Sequence, residues 1–81
     1  MTQDQLRDTV LRVLAAVAPE ADLAAIDPGT DLRDQLDIDS VDFLNFVVGL
    51  HNALGVDVPE ADYPQLSSID ACVVYLAAKL G

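Results

Sequence analysis

The residues that could take part in chemistry are few, and the most suggestive of them surround Ser40. The 81-residue chain has one His, one Cys and one Lys, which lie apart in the sequence. A single cysteine excludes an intramolecular disulfide and a cysteine metal cluster. We find no nucleotide-binding glycine loop and no paired-histidine metal motif. Ser40 is different, because Asp39 precedes it and Asp42 follows two residues later. No metal site and no catalytic residues are therefore predicted, and Ser40 is the residue to explain.

The segment around Ser40 matches one catalytic pattern. Residues 37–41 read Asp-Ile-Asp-Ser-Val, the Asp-x-Asp-x-Val core of phosphatases that use an aspartate nucleophile. That chemistry requires a buried strand before the first aspartate and a parallel sheet. The preceding residues 31–36 read Asp-Leu-Arg-Asp-Gln-Leu, which is not a buried strand. The phosphatase interpretation is rejected.

Ser40 is predicted to stand exposed at the start of a helix. A phosphate ester there would face free backbone N–H groups and the positive end of the helix dipole. Asp39 and Asp42 would repel free phosphate, but they could hold a basic partner or a metal ion of that partner. Serine is also a common helix cap, so the residues by themselves leave open a purely structural role.

Three long helices must position this segment. The first is predicted over residues 3–17, where Thr2 and Gln5 fit a capping box. The second is predicted over residues 40–54, with Asp39 as its N-cap and Gly55 in the left-handed position after its end. The third begins near Ser68, with a capping box formed by Ser67 and Asp70. Gly49, inside the second of these helices, is expected to allow another segment to approach closely.

The remaining residues form connections. Residues 18–39 make a long first loop with a helical turn at 31–36. Its apolar residues are expected to plug one side of the bundle. A short helical turn is predicted from Glu60 to Tyr63, where Pro64 interrupts it. The fold class is therefore all-α: a four-helix bundle of three longer helices and one short helix with a long first loop, in a single domain over residues 1–81.

Charge and composition restrict the partners. Fourteen acidic residues oppose four basic ones, giving a net charge of −10. Such a chain should avoid nucleic acid and anionic membranes and associate with basic protein surfaces. No apolar run approaches the ~18 residues of a membrane span, and the start, Met1-Thr2-Gln3-Asp4, is unlike a signal peptide. We expect a cytoplasmic monomer, and Met1 and the short ends predict a whole gene product.

The motif around Ser40 resembles the phosphopantetheine attachment site of acyl carrier proteins. Residues 39–42, Asp-Ser-Val-Asp, follow Leu-Asp-Ile at 36–38, where that family usually reads Asp-Leu-Gly-hydrophobic-Asp-Ser-Leu-Asp. The likeness continues through Gly-Val-Asp-Val-Pro at 55–59 and through Ser-Ile at 68–69 to Val-Tyr-Leu at 74–76. It spans nearly the whole chain, in the helix order and charge typical of that family.

The resemblance implies a mechanism. A phosphopantetheinyl transferase would attach 4'-phosphopantetheine from coenzyme A to the Ser40 hydroxyl, while Asp39 helps to position the transferase's metal and the serine. The thiol of the arm would then carry an acyl group as a thioester. The carrier is not an enzyme. It would present the arm to acyl-loading and acyl-transfer enzymes through basic or apolar docking patches on those enzymes.

The resemblance, together with the positions where this chain departs from it, suggests two further sets of residues. Those expected to line a shelter for the acyl chain are Leu44, Val47, Leu66 and Ile69. Those expected to contact partners are Asp37, Val41, Asp42, Phe43 and Val48. Phe43 has two possible placements, because it could form an exposed apolar patch that partners read or could turn inward.

Departures from the family pattern point to a specialised carrier. Asp37 replaces the usual Gly and Val41 the usual Leu. The helix at 40–54 has one acid, Asp42, where the family has several Glu. The acids gather instead at the head of the helix, and only Arg33 opposes them. A specialised lipid or secondary-metabolite pathway therefore fits better than primary fatty-acid synthesis.

Alternatives stay open within and outside the family. A peptidyl carrier would carry Gly-Gly-His-Ser at the site, which this chain lacks. A D-alanyl or other aminoacyl carrier is also small and acidic. An unmodified acidic helical adaptor, in which Ser40 only caps a helix, is the alternative from another class.

Overall fold

The computed structural model describes residues 1–80, and its secondary structure is helical. Four α-helices follow one another: α1 (Gln3–Val17), α2 (Leu32–Gln35), α3 (Ser40–Leu54) and α4 (Ile69–Leu80). Two 3-10 segments, Leu23–Ala25 and Glu60–Leu66, lie in the connections. Within residues 1–80 no strand occurs, and no helix is long and apolar enough to cross a membrane. The predicted all-α fold with three long helices and a long first loop is confirmed.

Local capping explains where α1 and α3 begin and end. At α1 the Gln5 N–H donates to Thr2 Oγ1 at 3.1 Å, and the Thr2 N–H donates to Gln5 Oε1 at 2.8 Å. These two bonds are the predicted capping box. Helix α3 ends at Leu54, and the next residue, Gly55, has a left-handed φ of 69° and an N–H that donates to the His51 carbonyl at 2.7 Å. Glycine adopts this conformation without strain from a Cβ atom.

The start of α4 differs by one residue from the prediction. Ser68 is the cap, since its Oγ accepts the Ala71 N–H at 3.1 Å. Ser67 cannot serve, because its φ of −73° and ψ of −24° are helical and an N-cap needs an extended backbone. The Asp70 side chain instead accepts a hydrogen bond from Arg7, a residue of α1, at 3.1 Å. The predicted Ser67–Asp70 capping box is therefore wrong.

The turn after α3 also runs further than predicted. The 3-10 segment continues through Pro64 to Leu66, because the φ that proline imposes lies within the 3-10 range. The Tyr75 hydroxyl on α4 donates to Asp62 Oδ2 in this segment at 2.7 Å. Burial raises the pKa of Tyr75 to about 12, and the hydrogen bond to Asp62 makes a smaller contribution to this shift. The bond fastens the segment to α4.

The core lies where α1 packs against both α3 and α4. Its fully buried side chains come from every α-helix and from the second 3-10 segment: Leu6, Val10, Leu14, Leu32, Phe46, Leu50, Leu66, Ile69, Cys72 and Leu76. Leu32 belongs to the long first connection, so this connection does plug the bundle. Two backbone bonds fix it there, from the Leu32 N–H to the Ser67 carbonyl at 2.7 Å and from the Asp70 N–H to the Pro28 carbonyl at 2.9 Å.

Gly49 marks the close approach of α3 to α1. A Cβ atom added at Gly49 would lie 2.5 Å from Val13 Cγ1, well inside van der Waals contact. The expectation that Gly49 permits a neighbouring segment to approach is confirmed.

Candidate functional site

Ser40 is the first residue of α3, and its side chain is exposed. Asp39, not Ser40, caps the helix: its Oδ1 accepts the Asp42 N–H at 2.9 Å, and the Asp39 N–H donates to Asp42 Oδ2 at 3.3 Å. The Ser40 hydroxyl accepts a hydrogen bond from Arg33 Nη2 at 3.3 Å. Because Asp39 does the capping, the Ser40 hydroxyl is not needed to begin the helix.

A cavity of about 560 Å³ opens beside Ser40. We call it the Ser40 groove. It lies between α2 and the first turns of α3 on one side and the Glu60–Leu66 segment on the other. Its lining residues are Asp31, Arg33, Ser40, Phe43, Leu44, Glu60, Tyr63, Pro64 and Ser67. The groove places apolar and aromatic surface next to the exposed hydroxyl, so a flexible group attached to Ser40 has room to lie along it.

Phe43 forms one wall of the groove and is half-buried. Its ring meets the Tyr63 ring edge-on at a centroid distance of 5.7 Å and lies 6.1 Å from the Phe46 ring. The Arg33 guanidinium carbon stands 6.0 Å from the Phe43 centroid, within the range of a cation–π contact. Phe43 thus turns toward the groove, and it neither lies free on the surface nor enters the core.

The exposed apolar surface of α3 comes from three other residues. Val41, Leu44 and Val48 are 65, 48 and 48% exposed. Their spacing, i, i+3 and i+7, places them on one face of the helix. We call this face the α3 apolar stripe. Two of the three, Val41 and Val48, were predicted partner contacts, and the third, Leu44, also lines the Ser40 groove.

The predicted acyl-lining residues occupy two different environments. Leu44 lines the groove. Val47, Leu66 and Ile69 are buried in the core, and none of them borders the groove. The family resemblance suggested all four as a lining, but only Leu44 stands where an attached chain could reach it without opening the bundle.

Carboxylates surround Ser40 at the head of α3. The side chains of Asp31, Asp34, Asp37 and Asp39 are exposed, and that of Asp42 is half-buried in its capping box. Asp39 uses Oδ1 for the cap, so its other oxygen is available to a cation brought by a partner. This arrangement repels free anions and attracts basic surfaces.

The protein's own thiol lies away from this site. Cys72 on α4 is fully buried, and its Sγ donates to the Leu66 carbonyl at 3.4 Å. Burial raises the pKa of the Cys72 thiol to about 12. A neutral, inaccessible thiol is a poor nucleophile. His51 lies late on α3 and is exposed, as predicted, with Nδ1 2.9 Å from the Val56 carbonyl.

Sequence reasoning missed the contribution of Arg33, Tyr63 and Ser67 to the groove. In the sequence Arg33 stands out as the one cation among the acids, but this charge pattern does not reveal its contact with Ser40. Tyr63 and Ser67 come from a distant part of the chain. Their approach depends on the path of the Glu60–Leu66 segment, and no local pattern reports that path.

Comparison with known proteins finds a matching family model and similar sequences. The family model described as "Phosphopantetheine attachment site" matches residues 4–76. Polyketide-8 synthase acyl carrier protein 2 of Streptomyces avermitilis is 31% identical over all of this chain and 87% of its own length. An acyl carrier protein of Myxococcus xanthus is 27% identical over 86% of this chain and 92% of its own length.

A solved structure shares the fold. The acyl carrier protein from Enterococcus faecalis superposes with a TM-score of 0.79 over 98% of this chain and 99% of its own, at 19% identity. At this identity the match establishes the arrangement of helices alone.

Proposed function

Because this chain belongs to the phosphopantetheine attachment family and is an acyl carrier protein, whose cofactor is covalent 4'-phosphopantetheine, we propose that the arm is attached to Ser40. The observation that carries the proposal is the exposed Ser40 hydroxyl, which is free of any capping role and opens onto a groove. The groove has room and apolar surface for the arm, so the residues present fit the group. Residues 1–81 are proposed to form one carrier domain.

The chain's own part in attachment is to present a nucleophile. In the reaction the Ser40 oxygen attacks the phosphorus of coenzyme A that bears pantetheine, an Oγ–P bond forms and the pyrophosphate bond breaks. Adenosine bisphosphate leaves, and the hydroxyl proton passes to a base of the transferase. Asp39 is proposed to hold the transferase's metal with its uncommitted carboxylate oxygen. Once attached, the arm supplies a terminal thiol that carries an acyl group as a thioester.

The cargo is proposed to rest in the Ser40 groove. Phe43, Leu44 and Tyr63 offer it apolar surface beside the attachment point. Sheltering a chain deeper, against Val47, Leu66 or Ile69, would require the packed core to open. Since interiors are as dense as organic crystals, the groove is the less costly place. The carrier itself is proposed to perform no catalysis.

Partners are proposed to approach the head of α3. Asp37 and Asp39 would attract basic residues, and the α3 apolar stripe would bury Val41, Leu44 and Val48. Phe43 is proposed to contribute by supporting the groove wall, because its ring is half-buried there and does not form an exposed patch. The partners proposed to bind there are a phosphopantetheinyl transferase and acyl-loading and acyl-transfer enzymes. The polyketide carrier among the relatives supports a specialised pathway, and the cytoplasmic location stays a prediction.

The carrier function is tested by intact-mass spectrometry after incubation with coenzyme A and a broad-specificity phosphopantetheinyl transferase. Wild type should gain the mass of one phosphopantetheine and Ser40→Ala none. Ser67→Ala is the matched control, because Ser67 borders the same groove, and it should be modified like wild type. A folded wild type that no transferase modifies, including that of its own host, would favour the unmodified adaptor. An aminoacyl cargo recovered from the arm would favour the D-alanyl type of carrier.

The docking surface has a test of its own. Initial rates of modification are compared for Val41→Ser and Val48→Ser against Asn45→Ala and Asn52→Ala, four exposed positions of α3. The serine variants should load several-fold more slowly while their thermal unfolding stays close to that of wild type. Equal rates for all four variants would contradict the proposed apolar docking.

A further inference from the structure

We infer that Arg33 is a phosphate-binding residue, whose guanidinium holds the phosphodiester that joins the arm to Ser40. This inference rests on the attachment proposed above. It adds a residue that lies seven positions before the modified serine, outside the attachment motif. It also explains why a cation stands in the most acidic part of the chain.

Arg33 is a cation without a carboxylate partner. Of the four basic side chains in the sequence, Arg7 pairs with Asp70 at 3.1 Å. Within the described residues 1–80 Arg33 forms no salt bridge, although Asp31 and Asp34 are its near neighbours in the chain. Asp31 Oδ1 accepts the backbone N–H of Arg33 at 2.8 Å, not its guanidinium. The positive charge of the guanidinium is therefore available to bind another anion.

The guanidinium is already directed to the attachment point. Nη2 donates to Ser40 Oγ at 3.3 Å, and the guanidinium carbon lies 6.0 Å from the Phe43 centroid. The two contacts hold both the end and the face of the side chain. After attachment the same Oγ becomes an ester oxygen, and the phosphoryl oxygens lie one bond beyond its phosphorus. They fall within reach of the donors that now contact the hydroxyl.

The chemistry of arginine suits this task. Its planar fork presents several N–H donors and binds phosphate in a bidentate manner, whereas lysine offers a point charge. The new phosphodiester is an anion placed beside Asp39 and Asp42, whose charges repel it. Arg33 offsets that repulsion. We therefore expect Arg33 to restrict the first bonds of the arm and to set the direction in which it leaves the protein.

The experiment uses the full chain before and after loading, followed by NMR. Loading wild type should shift the Arg33 Nε–Hε cross-peak, while the Arg12 cross-peak stays in place. The ³¹P resonance of the loaded Arg33→Gln variant should move away from that of wild type, and its ³¹P relaxation should report greater mobility. Arg33→Lys should restore the resonance only in part. Arg12→Gln is the matched control, because it removes one exposed cation elsewhere, and its ³¹P spectrum should coincide with that of wild type.

The outcomes separate the two proposals. If mass spectrometry finds no phosphopantetheine on wild type, the proposed function fails and this inference fails with it. If wild type is loaded but the Arg33 cross-peak does not shift, the attachment stands and the role of Arg33 is refuted. If the transferase does not load Arg33→Gln, the shift of the Arg33 Nε–Hε cross-peak in wild type alone tests the role of Arg33. A ³¹P resonance that is the same in Arg33→Gln and wild type would also refute the role.

Discussion

The tight contact between α1 and α3 makes a sharp prediction about Gly49. Alanine at a helix interior is normally favoured over glycine by about 1 kcal/mol, so Gly49→Ala should stabilise an unhindered helix. Here the new methyl group would lie 2.5 Å from Val13 Cγ1. Overpacking of this kind costs about 1–3 kcal/mol, and valine in a helix has little freedom to change rotamer. The net expectation is a loss of about 1 kcal/mol, or a Tm lower by about 4–8 °C in a chain of this size.

Removing the obstructing methyl groups of Val13 should reverse the sign of the stability change that Gly49→Ala causes. In a Val13→Ala background the nearest side-chain atom left from Val13 is its Cβ, 3.7 Å away, which is an ordinary contact. Gly49→Ala should then raise stability by up to about 1 kcal/mol. The assay is thermal unfolding followed by circular dichroism for both single variants and the double variant. Ala53→Gly, exposed on the same helix, calibrates the helix propensity. If the single variant Gly49→Ala, which keeps Val13, is more stable than wild type, the steric reasoning is refuted.

Three further predictions rest on burial. Cys72 in the unloaded protein should not react with Ellman's reagent until the chain is denatured, and loading should add one reactive thiol; a native Cys72 that reacts would contradict its burial. The pKa of Cys72 rises from 9.0 to about 12 on folding, so above pH 9 the unfolded state loses its proton first. The thiol's contribution to the free energy of unfolding is therefore complete below pH 9 and is lost as the pH rises toward 12. Urea titrations of wild type and Cys72→Ala at several pH values measure this loss. Leu32→Ala should cost about 2–5 kcal/mol in urea unfolding, because Leu32 is fully buried; a loss under 1 kcal/mol would mean that the first connection does not plug the core.

The helices could be predicted from the sequence because their signals are local. The capping box of Thr2 and Gln5, the cap at Asp39 and the glycine after Leu54 each act within one turn. The same locality explains the error at α4. Ser67 and Ser68 look alike in a sequence, and only the helical backbone of Ser67 assigns the cap to Ser68.

The site could be predicted only in part. The motif around Ser40 singled out the serine and its acids, but it could not place the groove. Val47, Leu66 and Leu44 have the same apolar character in the sequence, and packing alone separates the core residues from the groove wall. The contact of Arg33 with Ser40 depends on how the first connection folds back, which no periodicity encodes.

Tandem mass spectrometry can locate the modification and so test directly whether Ser40 carries the arm. Trypsin cleaves after Arg33 and next after Lys79, so Ser40, Ser67 and Ser68 fall within one peptide. Fragment ions that place a single phosphopantetheine on Ser40, with no modification in Ser40→Ala, are the predicted result. A modification found at Ser67 or Ser68, or one that persists in Ser40→Ala, would contradict the assignment of Ser40 as the attachment site.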